Sequence, residues 1–282
     1  MLTGTWCTPE FNKAVEKGYR IVRIHEVWHF KHTCKGLFRN YVQQWLKVKQ
    51  ESSGYPTWCD RDEKKSEYRR RYKEHEGIEL EEEKITKNPG RKATAKLMLN
   101  SFWGKFGENL NKPQVQAITD PAGLFQLLTT STTNVERIRI CNDDLLEVVV
   151  REKEDNQLDN GRRNIFVAAF TTCHARLKLY EYLNLLKEQV LYFDTDSVIY
   201  KWKEGQPQVP LGDFLGEMTD ELEGDDHIVE FVSGGPKNYG YVTEKGKVCC
   251  KVRGFTLNVR GESQLNHEVM KQNVLDEIQN PQ

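Results

Sequence analysis

The sequence predicts a mixed α+β fold. Three observations predict it. Apolar residues recur at helical spacing in separate stretches, short β-branched and aromatic runs bounded by turn residues lie between them, and no internal repeat organises the whole. With 282 residues the chain can bury a substantial core and form one large or two modest domains. Apolar residues at 38% fit a globular chain, and charged residues at 29% imply a large wetted surface. The net charge of −1 carries no global basic signature, although local charge matters more than the total. Seven cysteines without a C-x-x-C pair are expected to be reduced thiols of an intracellular protein, each packed as a small apolar residue. No stretch approaches the ~20 apolar residues of a membrane span, the N-terminus lacks a signal pattern, and no membrane partner is expected.

Taken in order, Thr8-Pro9-Glu10 ahead of Phe11, Ala14 and Val15 predicts a capped helix that stops at Gly18. Tyr19 to Phe30 is β-rich. Leu37, Phe38, Tyr41, Val42, Trp45, Leu46 and Lys49 predict a helix over 36–50. From Glu51 to Lys87 nearly every residue is charged, polar or turn-forming, which predicts a solvated helical insertion or mobile loop. A further helix fits Arg91 to Phe106, with Gly107 as its stop. Between Lys112 and Arg163 the pattern is short and β-like, and Leu145 to Arg151 and Ile165 to Phe170 flank an Asn160-Gly161 turn. A helix over 171–187 leads into a hairpin, and helical signals return from Glu262 to Ile278.

That hairpin, Leu191-Tyr192-Phe193-Asp194-Thr195-Asp196-Ser197-Val198-Ile199-Tyr200, places two carboxylates in an apolar, β-prone run where charge needs compensation. On a strand Asp194 and Asp196 emerge on one side, roughly 6 to 7 Å apart, with Thr195 opposite. Hard oxygen donors at that spacing suit Mg²⁺ or Mn²⁺. A calcium loop fails, because Val198 and Ile199 stand where it needs Asp or Asn and then Gly. A glycosyltransferase aspartate pair, a polymerase carboxylate pair and a solvated turn all remain open.

On the 91–106 helix, Lys92, Lys96 and Asn100 are spaced i, i+4, i+8, and Trp103 continues near the stripe. Two ammonium groups one turn apart would meet successive phosphates of a triphosphate. The run Lys96-Leu97-Met98-Leu99-Asn100-Ser101-Phe102-Trp103-Gly104, followed some ninety residues later by Tyr192-Phe193-Asp194-Thr195-Asp196-Ser197, closely resembles the family B DNA polymerases. Their protein-primed branch, from phages, linear plasmids and self-synthesising transposons, is the most similar. The family writes these elements K-x3-N-S-x-Y-G and Y-x-D-T-D-S, and Lys237-Asn238-Tyr239 is similar to its K-x-Y element.

The resemblance implies a two-metal polymerase whose antiparallel palm sheet carries the metal hairpin and is backed by helices. Asp194 and Asp196 would be catalytic and hold two Mg²⁺ ions, with Mn²⁺ as a substitute. Lys96, Lys92 and, displaced by the insertion, Lys49 would neutralise the triphosphate of a deoxynucleotide. Asn100 and Trp103 would pack around that nucleotide, and Tyr192, Lys237 and Tyr239 would touch the DNA primer-template. The family usually has Tyr at the position of Trp103, so stacking would be kept and a hydrogen bond lost. A terminal priming protein is a further partner if priming is by protein, and priming by nucleic acid stays open as the alternative. Residues 1–35 would be a rear palm segment, 36–108 fingers with the insertion at 51–87, 109–233 palm with its metal hairpin at 189–201, and 234–282 a thumb portion. The family's upstream D-x2-S-L-Y-P motif and exonuclease do not occur, and no Asp stands between Met1 and Gly36. The expectation is therefore a fragment that is inactive alone, with a DNA-binding remnant as the alternative and a glycosyltransferase as a distant one.

His25-Glu26-Val27-Trp28-His29 matches the zinc signature H-E-x-x-H. The surrounding run is β-prone, and on a strand the two histidines would stand about 13 Å apart, too far for one ion. Asp143-Asp144 and Asp225-Asp226-His227 read as turns, Cys173-His174 as helix packing, and Arg69-Arg70-Arg71 as a salt-bridged face or a nucleic-acid track.

Overall fold

The computed structural model describes residues 1–109, 111–153, 163–222, 224–254 and 264–280. It is α+β, with antiparallel pairing in every sheet. The chain divides into two compact units, Met1–Arg70 with Ile78–Thr172 and Arg71–Gly77 with Cys173–Gln282.

In the first unit, α1 (Thr8–Glu16) has Pro9 in its first turn, and Gly18, at φ +92°, closes it. Its N-cap residue is Cys7 rather than Thr8. Helices α2 (Arg39–Glu51) and α4 (Pro89–Phe106) run antiparallel. At one end Tyr41 stacks on Phe102 with ring centroids 4.3 Å apart, its hydroxyl donates to the Met98 carbonyl at 3.0 Å, and Phe38 packs between Phe102 and Phe106. At the other, Thr86 and Asn88 donate backbone N–H groups to the carbonyls of Glu51 and Ser52. Asn88 then caps α4 by accepting the Arg91 N–H, with Pro89 directly after it.

The charged stretch between them is the helical insertion rather than a loop, but it is not wholly solvated. It forms α3 (Asp62–Glu76) and a short 3-10 turn at Glu82–Lys84, and it buries Cys59, Tyr68, Tyr72, Ile78, Leu80 and Ile85. Tyr68 and Tyr72 lie one helical turn apart, so a narrow apolar stripe suffices while the remaining faces carry charge. Glu51, 1% exposed, ties the insertion down by accepting the Glu81 N–H at 3.0 Å, with the Lys47 ammonium 3.8 Å away. Arg69 pairs with Glu82 at 2.8 Å, in line with a salt-bridged face.

Strands β1 (Gln114–Ile118), β2 (Thr133–Asn142) and β3 (Leu145–Glu152) form a sheet in the order β1-β3-β2, and central Val148 and Val150 are buried. Helix α5 (Pro121–Thr129), capped by Asp120, interrupts what reads as a β-like stretch. The expected strand at Ile165–Phe170 is instead the start of α6 (Ile165–Leu186), where Asn164 caps the Val167 N–H at 3.1 Å. The cap and the long helix behind it outweigh the local β preference. The Asn160-Gly161 turn lies outside the described residues. Tyr19 to Phe30 forms no strand at all.

In the second unit, Tyr182, Leu186 and Val209 form a buried cluster beneath a hairpin of β4 (Val190–Asp194) and β5 (Ser197–Tyr200), joined by Val190, Val198, Tyr200 and Met218. Strands β6 (Ile228–Gly235), β7 (Asn238–Thr243) and β8 (Val248–Lys251) make a separate sheet against which α7 (His267–Gln279) packs. Gly240 permits that approach, since a Cβ there would stand 2.6 Å from the His267 ring. Among the described residues the single sheet expected to carry the metal hairpin is replaced by three small sheets, with β4–β5 a two-stranded one. The β6–β7 hairpin also straddles residue 234, where the thumb portion was expected to begin. No helix among the described residues is long and apolar enough to cross a membrane. All seven cysteines are free thiols, but only Cys59 and Cys173 are buried. Cys34 and Cys141 are exposed, so uniform apolar packing does not hold.

Candidate functional site

Strand alternation puts Tyr192 and Asp194 on one face of β4, and the strand ends at Asp194, which pairs with Ser197. Thr195 and Asp196 are therefore the loop, and Asp196 does not continue the strand face as expected. The Asp196 N–H donates to the Asp194 carbonyl at 2.5 Å with Thr195 at φ +49°, a tight three-residue turn. A β-branched residue at positive φ is strained and must be held by its surroundings. Here the Thr195 hydroxyl donates to Asp194 Oδ1 at 3.0 Å and Ser197 Oγ to the Asp194 carbonyl at 3.1 Å.

The β6–β7 hairpin supplies the facing group. Gly235 pairs with Asn238, leaving Pro236 and Lys237 as its two loop residues, with Lys237 at φ +61° where a glycine would be easiest. The Lys237 N–H donates to the Tyr192 hydroxyl at 2.9 Å, and its ammonium donates to Asp194 Oδ2 at 2.6 Å. Tyr192 and Tyr239 pack with ring centroids 4.7 Å apart, and Phe231 lies beside both. Two motifs some forty residues apart in sequence thus bring Tyr192, Asp194, Lys237 and Tyr239 together. The hydrogen bond to Lys237 holds the Asp194 carboxyl below its ordinary range, the same bond raises Lys237, and burial raises the Tyr239 phenol. Asp196 is exposed and makes no side-chain hydrogen bond or ion pair among the described residues. The two strained non-glycine loops, at Thr195 and Lys237, meet at one carboxylate. No property of either sequence in isolation announces that meeting, although a Lys after Pro in a tight turn is a legible signal.

The donor set fits magnesium in a limited sense. Mg²⁺ commonly takes one or two carboxylates and fills its remaining positions with water and substrate phosphate, which Asp194 and Asp196 would allow. Lys237 already neutralises one oxygen of Asp194. The cluster of Glu230, His267 and Glu268 in the same unit could also reach one ion, but Lys271 and His267 already hold Glu230 at 2.5 and 2.6 Å.

In the first unit, the antiparallel packing of α2 on α4 brings Lys49, Lys92 and Lys96 into mutual electrostatic range. Burial first, then repulsion from Lys96 and Lys92, pushes the Lys49 ammonium below its ordinary value. None of the three has a carboxylate partner among the described residues. Lys92 lies at the end of the first turn of α4, where the helix dipole adds to its positive field, and Lys96 lies one turn further on. Asn100 and Trp103 lie further along α4 and are exposed.

The remaining candidates separate. His25 to His29 is exposed and lacks the helix that H-E-x-x-H requires. Asp143 and Asp144 are the β2–β3 turn, and the Asp226 carboxylate accepts the His227 and Lys245 N–H groups in a loop. Cys173 is buried while His174 is exposed, so they form no thiol-imidazole pair. Comparison of the chain with known protein families, curated proteins and solved structures returns no match.

Proposed function

We propose that this chain is the nucleotide-adding portion of a family B DNA polymerase of the protein-primed type, acting on a DNA primer-template with deoxynucleoside triphosphates. The observation that carries the reading is the convergence of Tyr192, Asp194, Lys237 and Tyr239, which belong to two separate polymerase-like motifs. The unpaired Lys49, Lys92 and Lys96 supply, in the other unit, what a triphosphate needs. Asp194 and Asp196 would hold Mg²⁺, which when bound polarises phosphoryl oxygens and favours the attacking hydroxyl. Lys96 and Lys92 neutralise charge on the departing pyrophosphate, and Asn100 and Trp103 border the nucleotide. Lys237 and Tyr239 position the primer strand, with Tyr192 bracing the Lys237 loop through its hydroxyl.

A second reading, DNA binding without synthesis, is favoured by one observation: both oxygens of Asp194 are engaged, by Lys237 and by Thr195. The purified chain tests both. Primed DNA should bind with an affinity that falls steeply with salt and weakens in Lys237→Ala. Absence of such binding overturns the proposal. Templated extension with Mg²⁺ that Asp194→Ala abolishes would exclude the second reading, and binding without extension would favour it.

A further inference from the structure

Internal donors hold both oxygens of Asp194, Lys237 Nζ on Oδ2 at 2.6 Å and Thr195 Oγ1 on Oδ1 at 3.0 Å. The two are attached differently. Thr195 adjoins Asp194 in the chain, and its hydroxyl can stay on Oδ1 while another group takes Oδ2. Lys237 reaches across from the β6–β7 loop, which is also pinned without the ion pair. The Gly235–Asn238 pairing closes that loop, the Lys237 N–H donates to the Tyr192 hydroxyl at 2.9 Å, and the Asn238 side-chain oxygen accepts the Arg253 N–H at 3.0 Å. The Lys237 side chain itself is 56% exposed and ends in an ammonium on a flexible four-carbon stem. Its root is therefore fixed while its head can swing. An exposed lysine–carboxylate pair contributes little to stability, so the fold loses little when the pair opens.

Two other ions compete for the members of this pair. A divalent cation on Oδ2 would stand beside the like charge of the ammonium, so metal and Lys237 disfavour one another at that oxygen. A phosphodiester offers Lys237 a different acceptor, and Arg253 favours that exchange. Arg253 is exposed, lies within electrostatic range of Lys237 and has no carboxylate partner among the described residues. A phosphate taken by both cations relieves their mutual repulsion, which Asp194 does for Lys237 alone. All these groups belong to the second unit. Resting on the polymerase reading above, we propose that Lys237 is a positioning residue that closes Asp194 to metal until a phosphate of the primer strand, held jointly with Arg253, takes its ammonium. DNA binding then frees Oδ2 and metal binding frees Lys237, so each raises the affinity for the other by the same factor.

Mn²⁺ binding to the whole chain, followed by the paramagnetic resonance of the free ion, tests this with Asp194→Ala as the background. In the parent, a primed DNA hairpin should raise Mn²⁺ affinity about tenfold once ion bound by the DNA alone is subtracted, the size of one charge-assisted contact. That arm needs no variant to fold. Lys237→Met should raise the affinity about tenfold without DNA and leave no further gain when DNA is added. Arg253→Met should keep the DNA-free affinity of the parent and reduce the gain, and a hairpin whose primer linkages are uncharged methylphosphonates should give none. Mn²⁺ bound through Asp194 with an affinity that bound DNA or Lys237→Met leaves unchanged would overturn this proposal and leave the polymerase reading standing. Equal DNA-free gains in Lys237→Met and Arg253→Met would reduce the effect to general charge and overturn it too, as would a gain with the uncharged hairpin. Mn²⁺ binding that Asp194→Ala does not alter would overturn the metal site of the polymerase reading, and this proposal with it.

Discussion

The two candidate regions handle charge in opposite ways. In the β4–β5 and β6–β7 hairpins, the Asp194 carboxylate and the Lys237 ammonium are paired at 2.6 Å, and two strained loops are spent holding them. On the α2–α4 face, Lys49, Lys92 and Lys96 crowd together without a counter-charge, while aromatic packing at the far end of the helix pair supplies the cohesion. The paired region is at rest as it stands, whereas the unpaired one carries a repulsion that an anion would relieve. On the proposed reading each region would take a separate part in nucleotide addition, and each part can be broken separately.

The largest effect is expected at the pair. Asp194→Ala should lower nucleotide addition by about 100-fold or more wherever addition is measured, while primed-DNA binding persists through the freed Lys237. Next, Lys96→Ala should weaken binding of a deoxynucleoside triphosphate about tenfold by calorimetric titration, the loss expected for one charge-assisted contact. An unchanged affinity would remove the α2–α4 face from the site. Thr195→Gly should raise stability by about 1 kcal/mol in denaturant unfolding, because glycine adopts φ +49° without strain.

Smaller still, Lys49→Met should stabilise the chain by about 0.5 kcal/mol, a modest gain because the ammonium keeps part of its hydration. The pH dependence should separate the regions by sign. Lys49 is depressed in the folded state, so the unfolded chain binds more protons, and stability should rise as pH climbs from the folded value toward the unfolded 10.5. Asp194 is also depressed, and its contribution is complete above 3.8 and lost as pH falls through the lower folded value. Lys237 is raised, so its contribution is present below 10.5 and disappears as pH rises through the folded value. Melting curves of Lys49→Met and Lys237→Met across pH should therefore approach the parent from opposite sides at alkaline pH, the first from above and the second from below.

Much of the helical framework was legible. The stripe from Leu37 to Lys49 and the capped run ending at Gly107 became α2 and α4 within a few residues, since both period and cap are local properties. The signals for α5 and for the start of α6 were also present, as Asp120-Pro121 and Asn164, but β-prone neighbours masked them. The insertion's helix was expected but its burial was not, because two tyrosines at helical spacing are easily lost among charges, and burial depends on what they pack against. The run at 19–30 misled for the converse reason. β propensity describes a segment that fits a sheet and cannot supply the neighbouring strand.

By itself the sequence determined the α+β class, the position of the α2–α4 helix pair, the hairpin at Asp194 and the residue types available for phosphate and metal. Those depend on local period, capping and turn chemistry. Only the tertiary structure decided that Lys237 closes on Asp194, that Asp196 turns off the strand face, that Lys49 meets Lys92 and Lys96, and that residues 20–30 lie open. Each of these depends on which distant segment arrives, and loop closure over forty or more residues leaves no periodic trace in the chain.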